Sequence, residues 1–169
     1  MREIVLYSAS SFDGYIARKN GDIDWLFSDA DYGYQEFYDS IDTTLTGHNT
    51  YKQIKFFDEF PYPGKTNYIF GKPSGIPDDN PVIFVSDDMI NFVQQLKKER
   101  GKKIWLVGGG QLNSTLWNTG FIDEIILSVH PILLGEGIPL FAGNPVERTL
   151  KLIHTKSFES GLVQMTYRV

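Results

Sequence analysis

The stretch Lys103-Ile104-Trp105-Leu106-Val107-Gly108-Gly109-Gly110-Gln111-Leu112 decides the fold. An apolar run of strand type stops on three glycines and resumes as Gln111-Leu112-Asn113-Ser114-Thr115-Leu116-Trp117, whose pattern predicts a helix. Consecutive glycines let the backbone pass close to a bulky ligand. The first turn of a helix presents N–H groups without intrahelical partners, together with the positive end of its dipole. A strand, a glycine break and a helix start therefore predict a cradle for a phosphate or pyrophosphate, the anionic part of a nucleotide.

On either side of this stretch, strand-like runs recur at residues 3–8, 43–46, 66–70, 82–85, 103–107, 124–130, 149–158 and 162–169. Helical patterns fall between several of them. The clearest covers residues 87–100: Ser86 suits the N-cap, Asp87 and Asp88 the first turn, and Met89, Val93 and Leu96 form one apolar face. Lys97, Lys98 and Arg100 suit its last turn and Gly101 its C-cap. A second helix is expected over residues 32–40 with Tyr34, Phe37, Tyr38 and Ile41 inward, a short third over 50–55, and a fourth after the glycines. This alternation favours an α/β sheet with helices on both faces. The last two strands, joined around Glu159-Ser160-Gly161, read as an antiparallel hairpin appended to that sheet. Segments 58–64 and 72–81 carry prolines and read as loops too short to link domains, so the 169 residues are expected to form one domain, 1–169.

Composition removes several classes of function. The formal charge is -5 with acids and bases intermixed, so the clustered Lys/Arg footprint of a nucleic-acid binder is missing. The chain has no cysteine, which excludes disulfides, thiolate metal sites and cysteine nucleophiles. The start Met1-Arg2-Glu3-Ile4-Val5-Leu6-Tyr7 does not read as a signal peptide, and no apolar run is long enough to span a membrane. A cytoplasmic location with a small-molecule partner is the expectation. Aromatic residues make up 14% of the chain, so core and pocket should be built largely from rings.

Several motifs fail when tested. Gly108 and Gly110 fit the dinucleotide fingerprint G-x-G-x-x-G, but its third glycine falls on Asn113, and Leu127 and Ser128 stand where a ribose-binding acid belongs. Gly64-Lys65-Thr66 imitates the end of a P-loop whose first glycine would have to be Glu59. His48, His130 and His154 share no ligand spacing with a carboxylate, so no metal site is expected. Asn113-Ser114-Thr115 matches a glycosylation sequon inside an expected helix and is read as chance. No nucleophile elbow G-x-S-x-G occurs, which leaves hydrolase chemistry without support.

Four segments together resemble the dihydrofolate reductase-like superfamily, and most of all the branch containing the reductase domain of bifunctional riboflavin biosynthesis proteins and its stand-alone relatives. Ser8-Ala9-Ser10-Ser11-Phe12-Asp13-Gly14-Tyr15-Ile16-Ala17 is similar to that family's opening strand and S-x-D-G-x-I-A turn. Leu45-Thr46-Gly47-His48-Asn49-Thr50-Tyr51 is similar to G-R-x-T-Y. Val107-Gly108-Gly109-Gly110-Gln111-Leu112 is the third segment. The fourth runs from Ile122-Asp123-Glu124 through Pro131-Ile132-Leu133-Leu134-Gly135-Glu136-Gly137-Ile138-Pro139-Leu140-Phe141.

The resemblance implies a three-layer α/β/α sandwich around a mixed sheet, a homodimer, and a reductase that uses NADPH. It implies that Ala9, Ile16 and Ala17 hold the nicotinamide carboxamide through backbone groups, with Trp25 beside that pocket. Gly47, His48, Asn49 and Thr50 match a turn at the cofactor phosphates. Gly108, Gly109, Gly110, Gln111 and Leu112 match the pyrophosphate loop, where the family often holds a cis peptide between glycines. Two positions depart from the family pattern. His48 replaces an arginine, a permanent bidentate phosphate partner, so the 2′-phosphate of NADPH would fall to Lys72. Gly108 stands where riboflavin-pathway reductases usually carry a glutamate, which makes the triplet look more like dihydrofolate reductases.

Asp31 precedes Gly47 by the offset of the pterin-binding carboxylate in dihydrofolate reductases and is the candidate for contacting an N–H-rich heterocycle; it also suits the first turn of the 32–40 helix as a dipole-favoured acid. Asp13 is read either as a substrate contact or as the residue that structures its own turn. Trp25, set among Asp22, Asp24 and Ser28, suits a pocket mouth near substrate as well as cofactor. The function implied is NADPH-dependent reduction of a small nitrogen heterocycle, similar to 5-amino-6-(5-phosphoribosylamino)uracil reduction in riboflavin biosynthesis. The alternatives are dihydrofolate reduction and a non-catalytic nucleotide-binding protein of the same fold.

Overall fold

Side chains along the first strand, β1 (Ile4–Ser10), alternate between two cores. Ile4 and Leu6 point to one side and Val5 to the other, all fully buried. A strand apolar on both faces belongs in the middle of a covered sheet, and β1 lies there. The computed structural model describes residues 1–55, 57–73 and 80–169.

In chain order the remaining elements are β2 (Tyr15–Ala17), α1 (Tyr34–Ser40), β3 (Ile41–Gly47), α2 (His48–Ile54), β4 (Thr66–Phe70), β5 (Val82–Val85) and α3 (Met89–Leu96). Then come β6 (Lys103–Gly108), α4 (Gly110–Asn118), β7 (Glu124–Val129), β8 (Ile138–Pro139), β9 (Lys151–Ser157) and β10 (Val163–Arg168). Eight strands form one sheet in the order β5-β4-β3-β6-β1-β7-β10-β9, while β2 and β8 make a small separate ribbon. All neighbours from β5 to β7 are parallel. The β9–β10 hairpin joins β7 antiparallel, so the sheet is mixed, as the sequence implies.

Phe37 of α1 and Tyr51 and Ile54 of α2 pack on one face against Val5, Ile69 and Trp105. Val93 and Leu96 of α3 and Leu112 and Leu116 of α4 pack on the other against Ile4, Leu45, Ile104 and Leu106. Each fully buried aliphatic side chain contributes about 1.5–3 kcal/mol relative to exposure. The result is the three-layer α/β/α sandwich.

Element ends differ from the sequence reading where tertiary contacts win. Helix α3 is capped by Asp88, whose carboxylate accepts the Asn91 N–H at 3.1 Å, and Ser86 lies outside it. The helix stops at Leu96 because the next turn tightens, Lys98 N–H bonding Gln95 O and Glu99 N–H bonding Leu96 O. Lys97 there is buried, its ammonium donating to Phe121 O at 2.9 Å and pairing with Asp123. Helix α1 starts two residues late, after Gly33 at a φ of 83°. The β2–β8 ribbon has no counterpart in the strand reading; two and three residues are too few for a periodicity to register. Part of the loop expected over 72–81 lies outside the described residues.

The peptide between Gly108 and Gly109 is cis, as the resemblance implies. A methyl group on Gly110 would stand 2.4 Å from the Pro139 carbonyl oxygen, a backbone atom that cannot swing aside. Replacing Gly110 by Ala should therefore destabilise the fold by about 1–3 kcal/mol, read as a lower urea midpoint at unchanged slope.

Candidate functional site

The pairing of β3 with β6 places the two glycine-bearing turns side by side, with Thr46 opposite Gly108. Both strands run in the same direction, so α2 and α4 begin at the same edge of the sheet. The backbones there nearly touch. A Cβ on Gly47 would lie 3.4 Å from Gly108 O and Gly109 N, and one on Gly109 would lie 2.8 Å from Thr50 Oγ1. A side chain on Gly109 would force the Thr50 hydroxyl to turn away, and Gly108 sits at a φ of 106°, a conformation that favours glycine.

Three buried polar atoms around these turns have no hydrogen-bond partner: Thr46 Oγ1, His48 Nδ1 and Asn113 Oδ1. Thr46 and Asn113 are each 1% exposed. Asn113 spends its amide on Leu140 O at 2.8 Å, while its oxygen faces Gly108, where a Cβ would come within 3.2 Å. A buried polar atom without a partner costs about 1–3 kcal/mol, so several beside one cradle suit a site completed by a polar ligand.

A cleft of about 1150 Å³ opens over this edge. Ala9, Ile16 and Ala17 line it from β1 and β2, and Gly47, His48, Asn49 and Thr50 from the β3–α2 turn. Gly109, Gly110, Gln111 and Leu112 close the third side, with Gly108 directly behind them. Trp25 and Lys72, also expected beside the cofactor, do not line it. Trp25 is buried behind the wall, its indole N–H without a partner and its ring edge-on to His130 at 5.3 Å. Lys72 is exposed, one residue beyond Gly71, which packs so close to His48 that a Cβ would lie 2.7 Å from the histidine Cβ.

A second chamber of about 370 Å³ adjoins the cleft, and Tyr7, Ser8, Ala9 and Leu26 line both. Its floor is aromatic. Tyr7 stacks on Phe37 at 4.1 Å and meets the edges of Tyr34 at 6.3 Å and Trp105 at 6.0 Å. Burial, then the Asp31 charge, pushes the Tyr7 phenol up from its ordinary value. Burial, with the nearby Tyr38, Tyr7 and Asp31 charges, pushes Tyr34 up to about 12. Both hydroxyls stay protonated and can act as donors near neutral pH.

Asp31 combines the two roles that its sequence position suggests. Its carboxylate accepts the Gln35 N–H at 3.2 Å in the first turn of α1, and the residue also borders the chamber. Asp13 has a different setting. It accepts from Ser11 Oγ at 2.6 Å, Leu134 N at 3.1 Å and Gly135 N at 2.7 Å, contacts that lower its pKa, and it lines neither cavity.

His130 has no role in the sequence reading beyond rejection as a metal ligand, yet it is 3% exposed in the chamber wall. Its Nε2 accepts the Phe27 N–H at 3.2 Å, which leaves the proton on Nδ1, 3.3 Å from Ser128 O. Strand alternation could have located Tyr7 and Ser128, which lie on the same sheet face as Ala9 and Gln164. Among the described residues no group of His, Asp and Glu is arranged to hold a metal ion, and no helix is long and apolar enough to cross a membrane.

This chain belongs to the RibD C-terminal domain family, whose model matches residues 2–164. It is 39% identical over 98% of its length to YyaP of Bacillus subtilis (strain 168), covering 94% of that protein, and YyaP is described as uncharacterized. It is 41% identical to YwjB of the same organism, likewise uncharacterized, over 98% of this chain and 97% of that one. Among solved structures it is similar to a protein from Shewanella sp. PV-4 described as a candidate for riboflavin biosynthesis: TM-score 0.85, 27% identity, 99% of this chain and 98% of that one. It shares its fold with the deaminase/5-amino-6-(5-phosphoribosylamino)uracil reductase of Thermotoga maritima at a TM-score of 0.77 and 17% identity, covering 99% of this chain and 56% of that one. It also shares it with Enterococcus faecalis dihydrofolate reductase complexed with NADP(H) and RAB-propyl, at 0.72 and 14%, covering 98% and 95%.

Burial holds the His130 imidazole below its ordinary value of 6.5, despite the backbone carbonyls of Ser128 and Ser10, which act the other way as acceptors. The unfolded chain therefore binds this proton more readily than the folded one. The stability tied to the neutral ring is complete above the unfolded value and is lost as pH falls below 6.5 toward the depressed folded value. Thermal midpoints recorded from pH 7.5 to 5 should fall across that window, and His130→Gln should remove this part of the slope.

Proposed function

We propose that this protein is an NADPH-dependent reductase of a small nitrogen heterocycle, similar in activity to 5-amino-6-(5-phosphoribosylamino)uracil reductase. The observation that carries the reading is the meeting of two glycine turns, lined by unsatisfied polar atoms, at the mouth of a separate aromatic chamber. The donor set suits a dinucleotide: backbone amides and a dipole end for a diphosphate, with buried oxygen and nitrogen atoms for further polar groups. When bound, the coenzyme supplies a hydride.

On this reading Gly108, Gly109, Gly110, Gln111 and Leu112 cradle the diphosphate, and Gly47, His48, Asn49 and Thr50 hold further phosphate oxygens. Lys72, beyond Gly71, is available to a 2′-phosphate. Ala9, Ile16 and Ala17 hold the carboxamide end, with Trp25 supporting the wall. The heterocycle enters the chamber past Tyr7, and Asp31 accepts its N–H groups. Asp13 serves substrate indirectly, by fixing the turn before Tyr15. Dihydrofolate is the second substrate to test, because Asp31 does border the chamber and glycine occupies position 108. Residues 1–169 are read as one domain, acting in the cytoplasm as a homodimer, the commonest oligomeric arrangement.

Calorimetry with NADPH and NADH tests the cradle. Saturable binding is expected for NADPH, weakened about tenfold or more in Gly109→Val, whose side chain would collide with Thr50. The absence of saturation with either coenzyme would sink the oxidoreductase reading. Turnover is followed as loss of reduced-nicotinamide absorbance at about 340 nm with 5-amino-6-(5-phosphoribosylamino)uracil and with dihydrofolate. Asp31→Asn keeps an acceptor for Gln35 N–H and should cost about a hundredfold in turnover with little change in coenzyme affinity. Tight coenzyme binding without turnover on either heterocycle would favour the non-catalytic binder.

A further inference from the structure

We infer that His130 is a positioning residue, whose neutral imidazole holds the segment of residues 25–32 as the outer wall of the substrate chamber. The inference rests on the reading that the chamber takes the substrate. The connection from β2 to α1 has no strand or helix of its own between residues 18 and 33, yet Leu26, Phe27, Ala30, Asp31 and Tyr32 all line the chamber. Its position must come from a few ties.

Near the α1 end these are the Tyr32 hydroxyl, 3.0 Å from Ser160 Oγ, and the Gln164 amide, which donates to Tyr32 O at 3.2 Å. Near the middle it is His130. The ring accepts the Phe27 N–H at 3.2 Å and packs between Trp25, edge-on at 5.3 Å, and Phe27, tilted at 4.9 Å. His130 is itself fixed by the sheet. Its N–H donates to Ser10 O at 2.8 Å, and its Nδ1–H faces Ser128 O at 3.3 Å. His130 is therefore tied to β1 through its main chain, while its imidazole joins β7 to the loop.

Both ring nitrogens are committed, so His130 does not itself deliver a proton to the chamber. Its effect passes through Phe27 to Asp31, four residues on along the same wall. A phenylalanine at this position would fill the space and leave the half-buried Phe27 N–H without its acceptor. A glutamine oxygen reaches the place of Nε2 and restores one.

Amide hydrogen exchange read by mass spectrometry tests this without any ligand. In His130→Phe, peptides covering residues 24–33 should exchange about tenfold faster, while those covering 104–118 stay within about twofold. His130→Gln should return the loop to near its native rate. Should His130→Phe not fold, His130→Asn serves instead, because its shorter side chain can meet Ser128 O and cannot reach Phe27. Unchanged loop exchange, equal acceleration of loop and cradle, or failure of glutamine to restore protection would each overturn the assignment. These outcomes are independent of turnover, so a chain that binds no coenzyme at all would refute the proposed reaction and leave the role of His130 to be decided by exchange.

Discussion

Contact of main chain with main chain where β6 ends is the constraint on which the rest of the site depends. Gly110 meets the Pro139 carbonyl at a separation that leaves no room for a side chain, Gly109 lies against the Thr50 hydroxyl, and Gly47 leaves just room for a Cβ against Gly108 and Gly109. Because β3 and β6 are parallel neighbours, this crowding brings two helix starts to one edge of the sheet. At the same edge Thr46, His48 and Asn113 keep buried polar atoms without a hydrogen-bond partner among the described residues. Side chains large enough to reach them would need volume that the glycines have removed. The unsatisfied atoms and the crowded backbone are two aspects of one arrangement.

Rigidity of the floor comes from a different source. Trp105 lies at the centre of an aromatic layer, with Tyr62 at 5.0 Å, Phe37 at 5.4 Å and Tyr34 at 6.0 Å, and its indole N–H donates to Tyr7 O at 3.0 Å. Each such ring pair adds about 0.5–1.5 kcal/mol beyond area burial. Further along the sheet, Thr44 donates to Asn67 Oδ1 at 2.7 Å, and the Asn67 amide faces Lys65 O at 3.0 Å and both Tyr62 O and Pro81 O at 3.2 Å. This satisfied polar knot ties β3 and β4 to the loops before and after β4. A group transferred between two bound rings needs them held within a few tenths of an ångström, and a floor with few free rotamers serves that need.

How much of this was legible in the sequence follows from what each feature depends on. Parallel strands such as β5 and β6 contain continuous apolar runs, as at Ile104-Trp105-Leu106-Val107, and the glycine break is visible without any partner. The cofactor-side residues came into view because an ordered set of short motifs resembles a family. His130 stayed out of view because its role is defined by Phe27, over a hundred positions away, and by two carbonyls, none of which leaves a spacing to read. Trp25 illustrates the converse: its loop composition suggests a pocket mouth, but the ring turns inward against His130. The early end of α3 has the same origin, since Lys97 leaves the polar surface its charge suggests to reach Phe121 and Asp123.

The two cavities are built from different materials, and that difference has a consequence. The larger has the two glycine turns and helix starts along one side, where the sheet fixes their positions, and loop side chains such as Asn20, Ile23 and Phe57 along another. The smaller is shaped by side chains: tyrosines from β1 and α1, one carboxylate, and a loop pinned by a histidine. The loop packs on the chamber and shares only Leu26 with the larger cleft among residues 25–32. A scaffold divided in this way can keep one coenzyme geometry while exchanging the ring to be reduced, which is how function comes to vary on a constant fold. On the proposed reading, the choice of heterocycle falls to Tyr7, Asp31, Tyr34 and the 25–32 wall, and the glycine triplet takes no part in it.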